Sequence, residues 1–156
     1  MEPESLERSL RAHPFVSELT DEHVHFLVGC AKNSRVEAGK YLFHEDDAAN
    51  ALYLLRSGRV ALESNLPGRG AVQVETAGAG DVLGWAALFA PHRWHLDGRA
   101  LEPLLVFELD GVCVRKKTEN DPAFGHAFTR RLLFEVHRRL VRARLQQLDV
   151  YKAELR

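Results

Sequence analysis

The sequence predicts a mainly β chain with flanking helices: short helices first, then a small antiparallel barrel or roll, then one long helix. Three observations predict it. Between Ser34 and Leu109 the hydrophobic residues come in short runs punctuated by glycine turns, the rhythm of a small barrel or roll and not of alternating strand–helix units. Ahead of that stretch, apolar residues recur at helical spacing. Beyond Asp121-Pro122 no proline, and after Gly125 no glycine, interrupts the run to Arg156, which accommodates a helix of about 30 residues.

Taken in order, Leu6 and Leu10 mark one side of a first helix, which His13-Pro14-Phe15 breaks. Thr20 restarts the pattern as a capping residue, with Asp21 and Glu22 supplying negative charge to the first turn. Val24, Leu27, Val28 and Ala31 then form the apolar side of a second helix expected to end near Asn33. Strands are expected at 35–37, 41–43, 52–55, 59–62, 72–74 and 104–109, separated by turns at 38–40, 56–58, 66–70 and 77–81. The final helix opens with Asp121 as cap and Pro122 at its first position. It carries two apolar stripes. Phe124, Phe128, Leu132, Val136 and Leu140 step by four; Val141, Leu145, Leu148 and Leu155 step by four, three and seven, like a coiled-coil seam. Residues 1–120 are therefore read as a roll with N-terminal helices and residues 121–156 as a long helix, one domain overall. A small roll cannot cover the second stripe, so a homodimer through this helix is expected; a helix folded back on its own domain is the alternative.

Three ordered motifs add a family resemblance. Gly39 precedes Tyr41-Leu42-Phe43-His44-Glu45-Asp46-Asp47; Leu52-Tyr53-Leu54-Leu55-Arg56-Ser57-Gly58-Arg59-Val60 has the form of a strand, tight turn and strand; and Gly80-Asp81-Val82-Leu83-Gly84 has the form G-[DE]-x-[FIL]-G. In this order they resemble the cyclic nucleotide-binding domain of the catabolite activator protein (Crp/Fnr-like) family, over about residues 14 to 145. The resemblance implies a double-stranded β-helix, that is, a jelly-roll-like β-roll. It also implies a regulatory domain without catalytic residues or a resident cofactor, whose ligand is cyclic AMP or another cyclic nucleotide and whose long helix answers to that ligand.

The last motif would open a phosphate-binding cassette. Glycine at 84 lets backbone approach an anion, and a helical turn at Trp85 to Leu88 presents free N–H groups. A guanidinium beside it could grip two phosphate oxygens, and Arg93 is the candidate. The expected ligand site is Gly84, Trp85, Ala86, Ala87, Arg93, Trp94 and His95. Two departures stand out. Cyclic-AMP-binding members place a glutamate after the cassette glycine to receive the ribose hydroxyl, and here Trp85 has no acceptor to offer. The family's "R-[ST]-A" segment is replaced by Pro91-His92-Arg93-Trp94-His95-Leu96-Asp97, so that Arg93 or Trp94 holds the arginine position, depending on one gap; Glu45-Asp46 also stands where the first motif usually has glycine. Two indoles would make the pocket bulkier and more apolar, favouring a flat or apolar ligand or simply filling the space. The rival expectation is a structural scaffold whose pocket is stuffed by Trp85 and Trp94.

Other constellations are weaker. His92 and His95 could share a metal only on a helix and lack a third ligand at a telling interval. His23-Val24-His25 lies ahead of the roll on a helix, not on a strand, which weakens a cupin-type metalloenzyme reading. No Gly-x-Ser-x-Gly and no nucleophile–base spacing appears. Arg130, Arg131, Arg138, Arg139, Arg142 and Arg144 are expected to form a solvated helix face. Cys30 and Cys113 are expected as unpaired, buried small hydrophobes. Lys+Arg 21 against Asp+Glu 22 gives a net charge of -1, without the basic field that nucleic-acid binding uses. No apolar stretch of about 18 residues and no secretory leader is seen, so a cytoplasmic location away from membranes is expected. No helix-turn-helix segment follows the long helix, and the expectation is a stand-alone sensor acting on a small-molecule ligand, its own dimer and an unidentified protein partner.

Overall fold

The computed structural model describes residues 3–155. Helices α1 (Pro3–Arg11) and α2 (Asp21–Cys30) lead into strands β1 (Ala31–Val36), β2 (Tyr41–Phe43), β3 (Ala51–Ser57), β4 (Val60–Leu66), β5 (Gly70–Ala77) and β6 (Val82–Leu83). A 3₁₀ turn, Trp85–Leu88, precedes β7 (Asp97–Ala100) and β8 (Leu104–Asp110), and helices α3 (Gly111–Asn120) and α4 (Pro122–Glu154) close the chain. The strands form two four-stranded antiparallel sheets, ordered β1-β8-β3-β6 and β2-β7-β4-β5. This is the mainly β roll with N-terminal helices and a long C-terminal helix that the sequence predicts.

The core lies between the sheets. Leu52, Leu54, Leu55, Val60, Ala100, Phe107 and Leu109 are fully enclosed there. The N-terminal segment and the start of α4 form a second layer, in which Phe15 meets Phe128 edge-on at 5.4 Å and Phe26 meets Phe124 at 5.1 Å. Burying Phe15, Phe124 and Phe128 contributes roughly 2–3 kcal/mol each, which fixes the first half of α4 on the body. Asp121 caps that helix, its side chain accepting from Phe124 N–H at 3.2 Å. The helix is 33 residues long. Its second stripe, Val141, Leu145, Leu148 and Leu155, runs exposed beyond the roll.

Three expectations are corrected. Helix α2 stops at Cys30 instead of near Asn33, because residues 31–36 pair along the whole of β8, and that ladder outweighs the helical spacing. The two cysteines are not unpaired: Cys30 and Cys113 form a disulfide, with Cα atoms 6.0 Å apart. They stand 83 residues apart in the sequence, and only the packing of α2 beside α3 brings them together. The arginines of α4 are not one solvated face. Arg130 and Arg144 are exposed, but Arg131, Arg138, Arg139 and Arg142 bind the body of the domain. Strands β6 and β7 and helix α3 are additional elements; Asp110 starts α3 by accepting from the N–H groups of Val112 (2.9 Å) and Cys113 (3.1 Å).

Candidate functional site

The 3₁₀ turn after β6 is placed by Gly84. Its φ of 97° lies in the left-handed region, and a Cβ there would stand 2.4 Å from the Ala51 carbonyl oxygen and 2.9 Å from the Trp94 ring. Glycine is thus required by β3 and by Trp94. The segment after the turn pairs with the loop before β3: Ala49 N–H donates to His92 O, Trp94 N–H to Asp47 O, and Asp46 N–H to Trp94 O. Extended backbone points successive side chains to opposite sides. Trp94 therefore turns inward and stacks on Phe43 with centroids 3.5 Å apart and planes 2° from parallel, while Arg93 turns outward, its Nη1 donating to Asp46 O at 2.7 Å. Asp46, in the family glycine's usual place, has φ 69°. It takes up the left-handed turn that glycine would, as aspartate can.

Beside this turn is a cavity of about 240 Å³. The roll contributes Phe43, Leu62, Glu75 and Leu83, the turn Gly84, Trp85 and Ala86, the next segment Trp94, His95 and Leu96, and α4 Val136, Arg139, Leu140 and Ala143. Of the seven residues expected at the site, Gly84, Trp85, Ala86, Trp94 and His95 line the cavity. Ala87 is fully buried behind it, against Gly111, and Arg93 lies outside it. His92 is also outside, and among the described residues no group of three His, Cys, Asp or Glu stands ready to hold a metal ion. His23 rests edge-on against Phe124, and His25 is exposed.

Sequence reasoning missed Glu75 and Arg139. Arg139, 6% exposed, donates from Nε to Glu75 Oε1 (3.1 Å) and from Nη1 to Val82 O (2.9 Å), pairs through Nη2 with Glu75 Oε2 (2.9 Å), and faces the Trp85 ring at 5.0 Å. Arg142 links Glu75 (3.3 Å) to Asp81 (3.2 Å), and Arg138 joins Asp81 (2.8 Å) to the buried Glu135. Burial alone would push the Asp81 carboxyl up, but the Gly78 N–H and the two guanidinium groups outweigh it and hold it below the usual carboxylate range. The signal was there: Glu135, Arg139 and Arg142 continue the buried stripe of Phe124, Phe128 and Leu132 at steps of three and four. Burial also raises the Tyr53 hydroxyl to about 12, so the aromatic group of Phe43, Trp94 and Tyr53 carries no charge near neutrality.

The cyclic nucleotide-binding domain model matches residues 34–121, more than half of the chain. The chain belongs to the cyclic nucleotide-binding domain family. Solved structures bear out the fold of this family member. A protein from Geobacter metallireducens GS-15, described as a cyclic nucleotide-binding protein, is 26% identical with a TM-score of 0.75, the match covering 90% of this chain and 98% of that one. The N-terminal domain of a transcriptional regulator from Streptomyces coelicolor A3(2) is 25% identical with a TM-score of 0.67, covering 89% and 94%. The regulatory subunit of a cAMP-independent protein kinase A from Trypanosoma cruzi, bound to guanosine, is 19% identical with a TM-score of 0.62, covering 80% of this chain and 48% of that one. No curated protein matches the chain. No helix among the described residues is long and apolar enough to cross a membrane.

Proposed function

We propose that this domain is a small-molecule sensor: a ligand, cyclic-AMP-like or divergent, occupies the cavity beside Gly84 and biases the position of α4, whose distal half pairs with the same helix of a second copy. One observation carries the reading. The cavity has the cassette turn on one side and Val136, Arg139, Leu140 and Ala143 of α4 on the other, so a bound molecule touches the output helix directly. A ligand shifts such a helix only by binding one of its positions more tightly than the other. The dimer seam is supported by Phe134, Val141, Leu148 and Leu155, seven residues apart and all exposed, with Leu145 between them. The reading is of a binding module and assigns no chemical step; a cytoplasmic setting belongs to it, and there the Cys30–Cys113 bridge would be open to reduction by cellular thiols.

The only two tryptophans, Trp85 and Trp94, both line the cavity, so intrinsic fluorescence reports on it. Titrating small ligands while following sedimentation should give a saturable fluorescence change and a dimer whose affinity moves with ligand; Leu145→Asp with Leu148→Asp should leave only monomer. A chain that is monomeric with and without ligand sinks the seam. A second reading, a scaffold with a filled pocket, is favoured by the coplanar Trp94–Phe43 stack pressed against Gly84; fluorescence that no small molecule alters would establish it.

A further inference from the structure

A phosphate needs positive charge that the protein has not already spent. Among the described residues lining the cavity the one guanidinium is Arg139, and both oxygens of Glu75 hold it. The neutralisation extends along α4. Arg138, Arg139 and Arg142 face Glu75, Asp81 and Glu135, three positive groups against three negative, joined by direct contacts from end to end. Asp81, Glu135 and Arg139 in this network are buried, where an unmatched charge is costly and a matched set is held tightly. Glu75 itself is a cavity wall, so an anion entering beside Gly84 would meet a carboxylate in a largely apolar setting, where like charges repel. The outward turn of Arg93 removes the other candidate guanidinium. What remains is mostly apolar and largely flat, namely Leu62, Leu83, Leu96, Trp85 and Trp94, with the exposed His95 as the one further ionisable side chain. The cavity, at about 240 Å³, is smaller than the roughly 300 Å³ at which pockets for drug-sized ligands begin.

We propose that the cavity selects an uncharged, planar aromatic ligand, and that Glu75 is the specificity-determining residue that turns anions away by keeping Arg139 neutralised. This rests on the sensor reading and names its ligand class. Such a ligand gains from the indole and leucine walls without disturbing the ion network. Cyclic nucleotides, which keep a negative phosphate at any working pH, would have to break it.

The test uses the full chain and two matched pairs of probes: adenosine with 3′,5′-cyclic AMP, and indole with indole-3-carboxylate, each titrated by tryptophan fluorescence (adenosine pair) or calorimetry (indole pair). The uncharged member of at least one pair should bind about tenfold tighter, or more, than its anionic partner. In Glu75→Gln, which frees Arg139, that ratio should shrink by about tenfold or invert. Tighter binding of the anion to the unaltered chain overturns the inference and leaves the sensor standing, as does a Glu75→Gln ratio identical to the parent's. Failure of all four probes to bind either protein removes the sensor reading and the inference with it. Circular dichroism checks that Glu75→Gln folds; if it does not, the ratio in the unaltered chain alone decides.

Discussion

Replacing Gly84 with alanine isolates the geometry on which the site depends. The glycine sits at φ 97° and ψ 22°, where an L residue pays about 1–2 kcal/mol for its backbone alone. The added methyl would then lie 2.4 Å from the Ala51 oxygen and 3.2 Å from Leu52 Cα, both backbone atoms of the β3 region that no rotamer change can move aside. Relieving that overlap means lifting the 3₁₀ turn off β3, an overpacking cost of about 1–3 kcal/mol. The sum, about 3 kcal/mol, corresponds to a melting temperature lower by roughly 10 °C for a chain of this size. Far-ultraviolet circular dichroism of the parent and Gly84→Ala measures it. The double variant Gly84→Ala with Trp94→Ala serves as control: it removes the 2.9 Å ring contact but leaves the nearer carbonyl, so it should not recover the loss. A melting temperature within about 2 °C of the parent would refute the reasoning, because the turn would then be free to move away from β3 at no cost.

Two further outcomes follow from the ends of the chain of contacts. The Cys30–Cys113 bridge closes a loop of 83 residues, for which the loop-entropy model gives about 4–5 kcal/mol; Cys113→Ser, or the parent under dithiothreitol, should melt roughly 10 °C or more below the oxidised protein, and equal melting temperatures would show that the bridge does not stabilise the fold. His13 is held as one neutral tautomer, Nδ1 accepting from Phe15 N–H at 3.1 Å and Nε2 donating to Leu55 O at 3.0 Å. Burial lowers its pKa from the ordinary 6.5, more than the Leu55 carbonyl raises it. A lowered histidine contributes stability that is complete above the unfolded value and is lost as pH falls from there through the folded one. Denaturant midpoints should therefore drop below about pH 6.5 in the parent and less steeply in His13→Gln; parallel profiles would remove His13 from the account.

The fold was legible because its punctuation is local. Glycine turns between short apolar runs, the Thr20 and Asp121 caps, and an uninterrupted run after Pro122 are each set within a few residues, and the structure keeps them. The end of α2 was misread because residues 31–36 have no local preference strong enough to oppose the β8 ladder. The disulfide was invisible for a related reason, since no spacing rule links residues that only helix packing brings together. At the site, the motif located the cavity, and Gly84, Trp85, Ala86, Trp94 and His95 line it. The half contributed by α4 was legible only in principle: Glu135, Arg139 and Arg142 lie on the buried stripe, but charged residues there read as solvated until the acidic partners Glu75 and Asp81, more than fifty residues away, are placed beside them.

That division bears on what a cassette motif can establish. In this chain the Gly80 to Gly84 signature survives intact, while Trp85 stands where a ribose acceptor is expected and Arg93 points away from the cavity. The survival needs no anion to explain it: a Cβ at 84 collides with the Ala51 carbonyl, and Asp81 is bound to Gly78, Arg138 and Arg142. Both residues are fixed by the packing of turn, strand and α4. Side chains that would serve only a ligand carry no such constraint. In this chain, then, Gly84 and Asp81 of the motif report the fold, and ligand chemistry has to be read from the cavity wall, where a carboxylate and a guanidinium already satisfy each other.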